Sequence, residues 1–341
     1  MNYVPGEGYE VGDTLFATHI ELSPCSNFKN FTIFKVYCKK FNEVDIKNIK
    51  IDGTDCGFLI PSFSLLSVDH DYSSNKNFQL FSDAIIKWFL SSLQMETTKS
   101  EVPLENFFDE NLGFIALSNN SYSNSKNNER KIFFELMNSG IYVDTLQTEP
   151  SFYPDNSLFP DKKLPNTKRI TFNTTTNKAM LDEFVFEIFH SVVFKESDHF
   201  LQFFYLYQVI ETLIEFVMSN EYSQVRTKIN TLGGSATTQQ LKKLVETLNE
   251  SVQERKRINK LCNDYTGTYT DDFNIQQSLC DFIRGHLNSE FETDSDIGTS
   301  IYEVRNKSFH EFRTLRNASK LSSITPHVFD YILHLISSYK Y

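Results

Sequence analysis

Six consecutive residues bring together the groups needed to work on a phosphodiester: Arg305-Asn306-Lys307-Ser308-Phe309-His310. They lie in a stretch, Ile297 to Lys320, that reads as one helix. Residues four apart on a helix share a face, so Asn306 and His310 are expected side by side, with Arg305 flanking them. A guanidinium offers a fork of donors to phosphate oxygens. An imidazole with an ordinary pKa near 6.5 gives and takes protons at neutral pH. The amide between them can orient either partner. Read structurally, the same residues form a solvated helix face, with Arg305 paired to Glu303 or Glu311.

The elements that must position this cluster are helical. From about residue 177 the pattern predicts helices at Lys178–Phe194, Asp198–Ser219, Thr238–Tyr265, Asp272–Asn288, Ile297–Lys320 and Pro326–Tyr339. Ser197-Asp198 caps the second, Pro326 suits a first turn, and Thr231 to Thr238, with two glycines, breaks the chain. The second helix, Phe200 to Glu215, is apolar on nearly all sides except a stripe of Gln208, Glu211, Thr212 and Glu215. That marks it as the central core helix; Glu211 on it either takes a partner, for which Arg305 is the candidate, or faces solvent.

The preceding half reads as strand-rich. Phe31–Cys38, Asp45–Gly53, Gly57–Val68, Asn111–Leu117 and Lys168–Asn173 are short β-branched or aromatic runs bounded by turn residues. Asp52-Gly53 signals a tight hairpin turn. One helix is expected at Phe81–Gln94, around the single Trp88. Pro150, Pro154, Pro160 and Pro165 fall between residues 149 and 166, which predicts an extended connector. The expected fold class is therefore α+β, with a β-rich domain over 1–176 and an all-α bundle over 177–341.

Composition bounds the function. With 40% hydrophobic residues, 32 Phe and 16 Tyr, the chain can pack aromatic-rich cores. Its formal charge of −11 argues against a surface that grips nucleic acid over its whole extent, though not against a local basic groove. Five widely spaced cysteines without a CxxC pair fit reduced thiols, and hence a cytoplasmic setting. Met1 to Gly12 carries neither basic residues nor an apolar run, so no secretory signal is expected. Phe200 to Met218, the most apolar stretch, is interrupted by Gln and Glu and reads as a buried helix, not a membrane span. The other histidines show no close metal-ligand spacing, Gly233-Gly234 lacks a phosphate-loop lysine, and His70-Asp71 reads as a surface turn. No metal or cofactor is expected.

The R-N-x-x-x-H arrangement of Arg305, Asn306 and His310 resembles the signature of HEPN domains, all-α modules whose catalytic members are metal-independent ribonucleases. The Phe200–Glu215 helix resembles the aromatic, acid-bearing helix of HEPN domains in bacterial defence proteins. The resemblance covers about half the chain. It implies an endoribonuclease acting in antiviral defence or abortive infection, with Arg305, Asn306 and His310 catalytic and Glu211 supporting. It also implies a homodimer whose composite site draws on both subunits, and an N-terminal domain that senses a trigger or regulatory partner. RNA carries its own nucleophile, the 2′-OH, so a base, an acid and a cation suffice for cleavage to a 2′,3′-cyclic phosphate. Lys307, Arg313 and Arg316 are candidate RNA contacts beside the site, and residues 242–260 form a second basic run. That run's Leu241, Leu244, Leu248, Val252 and Leu261 repeat at helical spacing and are expected to pack in the core. In HEPN toxins paired with nucleotidyltransferase antitoxins a Tyr stands two residues after the His. Phe312 stands there in this chain, which argues against control by adenylylation at that position. The alternative reading is a HEPN-like dimerisation or RNA-binding module that cleaves nothing.

Overall fold

The computed structural model describes residues 2–4, 8–11, 14–17, 25–42, 45–92, 101–122, 126–144, 158, 164, 167–172, 177–233, 236–269, 272–292, 295–310 and 318–340. The chain divides into two compact units, Met1–Thr175 and Thr176–Tyr341. The first is built on sheets and the second is helical, so the fold class is α+β.

In the first unit the strands are β1 (Asn2–Val4), β2 (Gly8–Val11), β3 (Thr14–Ala17), β4 (Phe31–Tyr37), β5 (Lys47–Ile51), β6 (Thr54–Pro61), β7 (Glu101–Pro103), β8 (Leu112–Ser118), β9 (Tyr142–Asp144) and β10 (Arg169–Phe172). A six-stranded sheet has the order β10-β5-β6-β8-β4-β9, and its pairs are antiparallel except β10 beside β5. β1, β2, β3 and β7 form a smaller sheet. The β5–β6 hairpin turns at Asp52 and Gly53, both with positive φ (49° and 81°), the geometry that Asp-Gly favours. The expected strand from Gly57 to Val68 ends early. Pro61 cannot donate to a further ladder, and Ser62–Leu66 coil into a 3₁₀ turn instead.

Helix α1 (Lys76–Ser92) lies on β4, β6 and β8, and α2 (Lys126–Asn138) lies beside β9. The phenylalanines serve this packing. Phe58 meets Phe78 and Phe81 edge-on with centroids 6.0 and 5.3 Å apart, and Phe89 meets Phe114 at 5.8 Å. On α1 the fully buried Asp83 accepts the Tyr9 hydroxyl and the Cys25 amide and pairs with Lys87 at 2.8 Å. A carboxylate taken out of water needs such partners, so this network pins β2 and residue 25 to the helix. Most of the expected proline-rich connector lies outside the described residues.

The second unit comprises α3 (Lys178–Leu181), α4 (Glu183–Glu187), α5 (His199–Leu232), α6 (Thr238–Val252), α7 (Glu254–Lys260), α8 (Asp272–His286), α9 (Ile297–His310) and α10 (Thr325–Ser338). π-helical turns continue α4 (Ile188–Val192) and α7 (Leu261–Tyr265). The helix expected over Lys178–Phe194 is split by Asp182, whose carboxylate caps α4 by accepting the Val185 amide. The one expected over Thr238–Tyr265 is split at Gln253, which is extended. α5 runs 34 residues, well past Ser219, until Gly233 (φ 53°) stops it. By length and hydropathy α5 would suffice to cross a membrane, and half of its most apolar window is buried within the unit. All five cysteines are unbridged.

Candidate functional site

Two helices position the Arg305 cluster. α5 starts where Asp198 accepts the amides of Phe200 and Leu201, satisfying orphan donors of the first turn. Phe203, Leu206, Tyr207, Ile210, Leu213, Ile214 and Val217 then bury one broad face. α9 starts at Asp296, whose carboxylate accepts the Thr299 amide at 2.7 Å and its hydroxyl at 3.0 Å. Ile297, Ile301, Val304 and Ser308, at offsets 0, 4, 7 and 11, form its buried stripe toward α7 and α8. That register leaves Arg305, Asn306 and Lys307 half-buried at its margin and Phe309 40% exposed.

Arg305 is held from four sides. One Nη donates to Asn306 Oδ1 at 3.0 Å and the other to Glu211 Oε1 at 3.3 Å. Its Cζ lies 5.2 Å from the Tyr207 ring and 5.5 Å from that of Phe309. The Tyr207 hydroxyl donates to Glu254 Oε1 at 2.7 Å, which ties α5 to the start of α7. Burial, and then the Glu254 hydrogen bond, raise the Tyr207 pKa, so this phenol stays a donor. The guanidinium keeps further N–H donors beyond those two bonds, on a side chain 29% exposed. The site can therefore orient a cation toward an anionic oxygen in partly desolvated surroundings.

Arg305 pairs with Glu211 on α5; Glu311, the other acid considered, lies outside the described residues. Sequence reasoning brought Arg305 and Glu211 together but missed Tyr207 and Phe309. Both were readable as one-turn neighbours, Tyr207 four residues before Glu211 and Phe309 four after Arg305. His310 is the last residue of α9, four after Asn306, and the placement of its imidazole lies outside the description. Arg313, Arg316 and Phe312 also lie outside the described residues.

The second basic run is largely committed elsewhere. Arg257 pairs with Glu215 at 3.0 Å, Lys260 with Glu221 at 2.6 Å and Lys242 with Glu246 at 4.0 Å. With Arg305–Glu211, the α5 acids thus form a ladder of ion pairs to α7 and α9. Of the five residues of that stripe expected in the core, Leu244 and Leu261 are buried and Leu248 is half-buried, whereas Leu241 and Val252 are 46% and 60% exposed. Among the described residues no group of three metal-ligating side chains occurs. His70 contacts the Ser64 carbonyl, and Asp71 pairs with Lys168 on an exposed surface, as in a turn. His190 stacks on Phe186, and burial lowers its pKa. A polar cavity of about 560 Å³ opens at the other end of α9, with Asp296, Asn263, Tyr269 and Lys340 in its wall.

Comparisons with family models, curated proteins and solved structures find no match to this chain.

Proposed function

We propose that the helical unit is a HEPN-type endoribonuclease that cleaves RNA through attack by its own 2′-OH, with Arg305, Asn306 and His310 as catalytic residues. The observation that carries this reading is the Arg305 guanidinium, oriented by Asn306 and Glu211 on the helix that ends in His310. In this scheme Arg305 binds the non-bridging oxygens and stabilises the phosphorane. His310 moves a proton from the 2′-OH or to the 5′-leaving oxygen, and Asn306 orients the arginine or the phosphate. No step requires a metal or cofactor. Two subunits facing each other through α9 would supply both the base and the acid. Antiviral defence or abortive infection in the cytoplasm is the setting that the motif resemblance implies, with the N-terminal unit as sensor or restraint.

The second reading, a HEPN-like module that binds RNA or dimerises without cleaving, is favoured by one observation. An Arg–Glu pair at 3.3 Å is also what a structural arginine makes. Sequencing RNA ends after induced expression of wild type and His310→Ala separates the two. Cyclic-phosphate ends that disappear in soluble His310→Ala are expected. Identical ends or identical toxicity in the two strains would remove His310 from catalysis.

A further inference from the structure

The face that carries Arg305 also carries exposed aromatic surface. Phe309 is 40% exposed, and its ring centroid lies 5.4 Å from Phe204 and 5.8 Å from Phe200, both half-buried one turn apart on α5. Leu201 beside them is 36% exposed. Arg305 reaches the same strip, with its Cζ 5.5 Å from the Phe309 ring. A large ring left open to water costs free energy unless something covers it, and an adjoining cation narrows what that partner is. An uncharged apolar segment would cover the rings but leave the guanidinium partly desolvated without gain. An unpaired nucleotide satisfies both, its base stacking on the ring and its phosphate meeting the guanidinium. A base inside a duplex has no free face to offer.

The geometry points to Phe309, backed by Phe204 and Phe200, as a base-stacking platform that selects unpaired nucleotides beside the phosphate held by Arg305. The inference rests on the proposed ribonuclease reading and adds the structural class of RNA to it. Because α9 presents Arg305 and Phe309 one turn apart, phosphate and base would belong to the same nucleotide or adjacent ones. Stacking tolerates every base, so the platform favours loops and single strands over any one sequence.

The test uses the full chain carrying His310→Ala, so that RNA stays intact. Fluorescence anisotropy would measure its binding to a labelled single-stranded oligoribonucleotide and to a blunt duplex of the same composition. Single strands are expected to bind more tightly than the duplex. Adding Phe309→Ala should weaken single-strand binding about tenfold, whereas Phe309→Tyr, which keeps the ring, should restore most of it. Equal affinity in the Phe309→Ala protein, or equal affinity for duplex, overturns the inference and leaves the ribonuclease reading standing. Loss in both variants with native helicity counts against stacking. Conversion of a dimer to a monomer by Phe309→Ala, followed by light scattering, would make the strip an interface between copies and overturn the inference. If the parent protein binds no RNA, the inference and the ribonuclease reading fall together.

Discussion

At the scale of single residues, the question is whether Arg305 serves an anion or the fold. Its two observed acceptors, Asn306 and Glu211, are compatible with both, but they predict different responses. Arg305→Lys keeps the charge and loses the fork. A phosphate clamp then fails, and cleavage in a gel assay should fall at least tenfold without a change in melting temperature. Cleavage at the wild-type rate would make Arg305 an electrostatic or structural residue. Glu211→Gln works in the opposite direction. With the carboxylate 44% exposed, the pair contributes at most about 1 kcal/mol, so thermal stability should hardly move. Removing the anion that competes for the guanidinium should tighten RNA binding several-fold at low salt, and the gain should fade as salt screens it. Weaker binding in Glu211→Gln would mean that the glutamate holds Arg305 in its working position.

At the scale of elements, β6 shows how one residue licenses a sheet. Gly57 is paired with Ile49 on one side and Leu117 on the other, next to a register shift at Ile49/Lys50. A Cβ there would stand 1.9 Å from the Ala116 carbonyl oxygen, a backbone atom in the neighbouring strand. Gly57→Ala must therefore push β6 and β8 apart. We expect a loss of about 2–3 kcal/mol or more, seen as a lowered melting temperature of the N-terminal unit, and an unchanged transition would contradict this packing. Much of the element order was legible because the signals were local, as with Asp52-Gly53, the Asp198 cap and the Gly233 stop. The breaks at Asp182 and Gln253 were not, since neither carries Gly or Pro and apolar periodicity runs through both. Asp182 breaks its helix because its carboxylate captures the Val185 amide, a choice between two local hydrogen-bonding schemes that periodicity does not register. The site followed the same rule. Arg305 and His310 were visible as a motif, and Glu211 as one of two readings of an acid on a helix apolar on nearly all sides. Tyr207 carried only one weak signal, its place one turn before Glu211, in a neighbourhood that otherwise reads as that of an ordinary core aromatic.

At the scale of the whole molecule, the net charge of −11 sets the problem that the proposed RNA binding must solve. A chain so acidic repels a polyanion at long range, and its second basic run spends Arg257 and Lys260 on α5 acids. In the proposed scheme affinity would come from a concentrated site, and a dimer would concentrate it. One subunit provides a single signature histidine, whereas transfer from the 2′-OH and to the 5′-oxygen needs both a base and an acid. Two α9 helices face to face would supply both, and would set two Arg305 forks around one phosphate. The forks repel each other in the empty site and are neutralised by the bound phosphate, so RNA should favour the dimer by linkage. Ribonuclease activity per mole should fall as the protein is diluted through its dimer dissociation range, and RNA should shift that range to lower concentration. Light scattering or sedimentation across the same dilution series gives the assembly state. Full specific activity in a demonstrated monomer would refute the composite site, and His310 would then need a second proton carrier from its own subunit or from water.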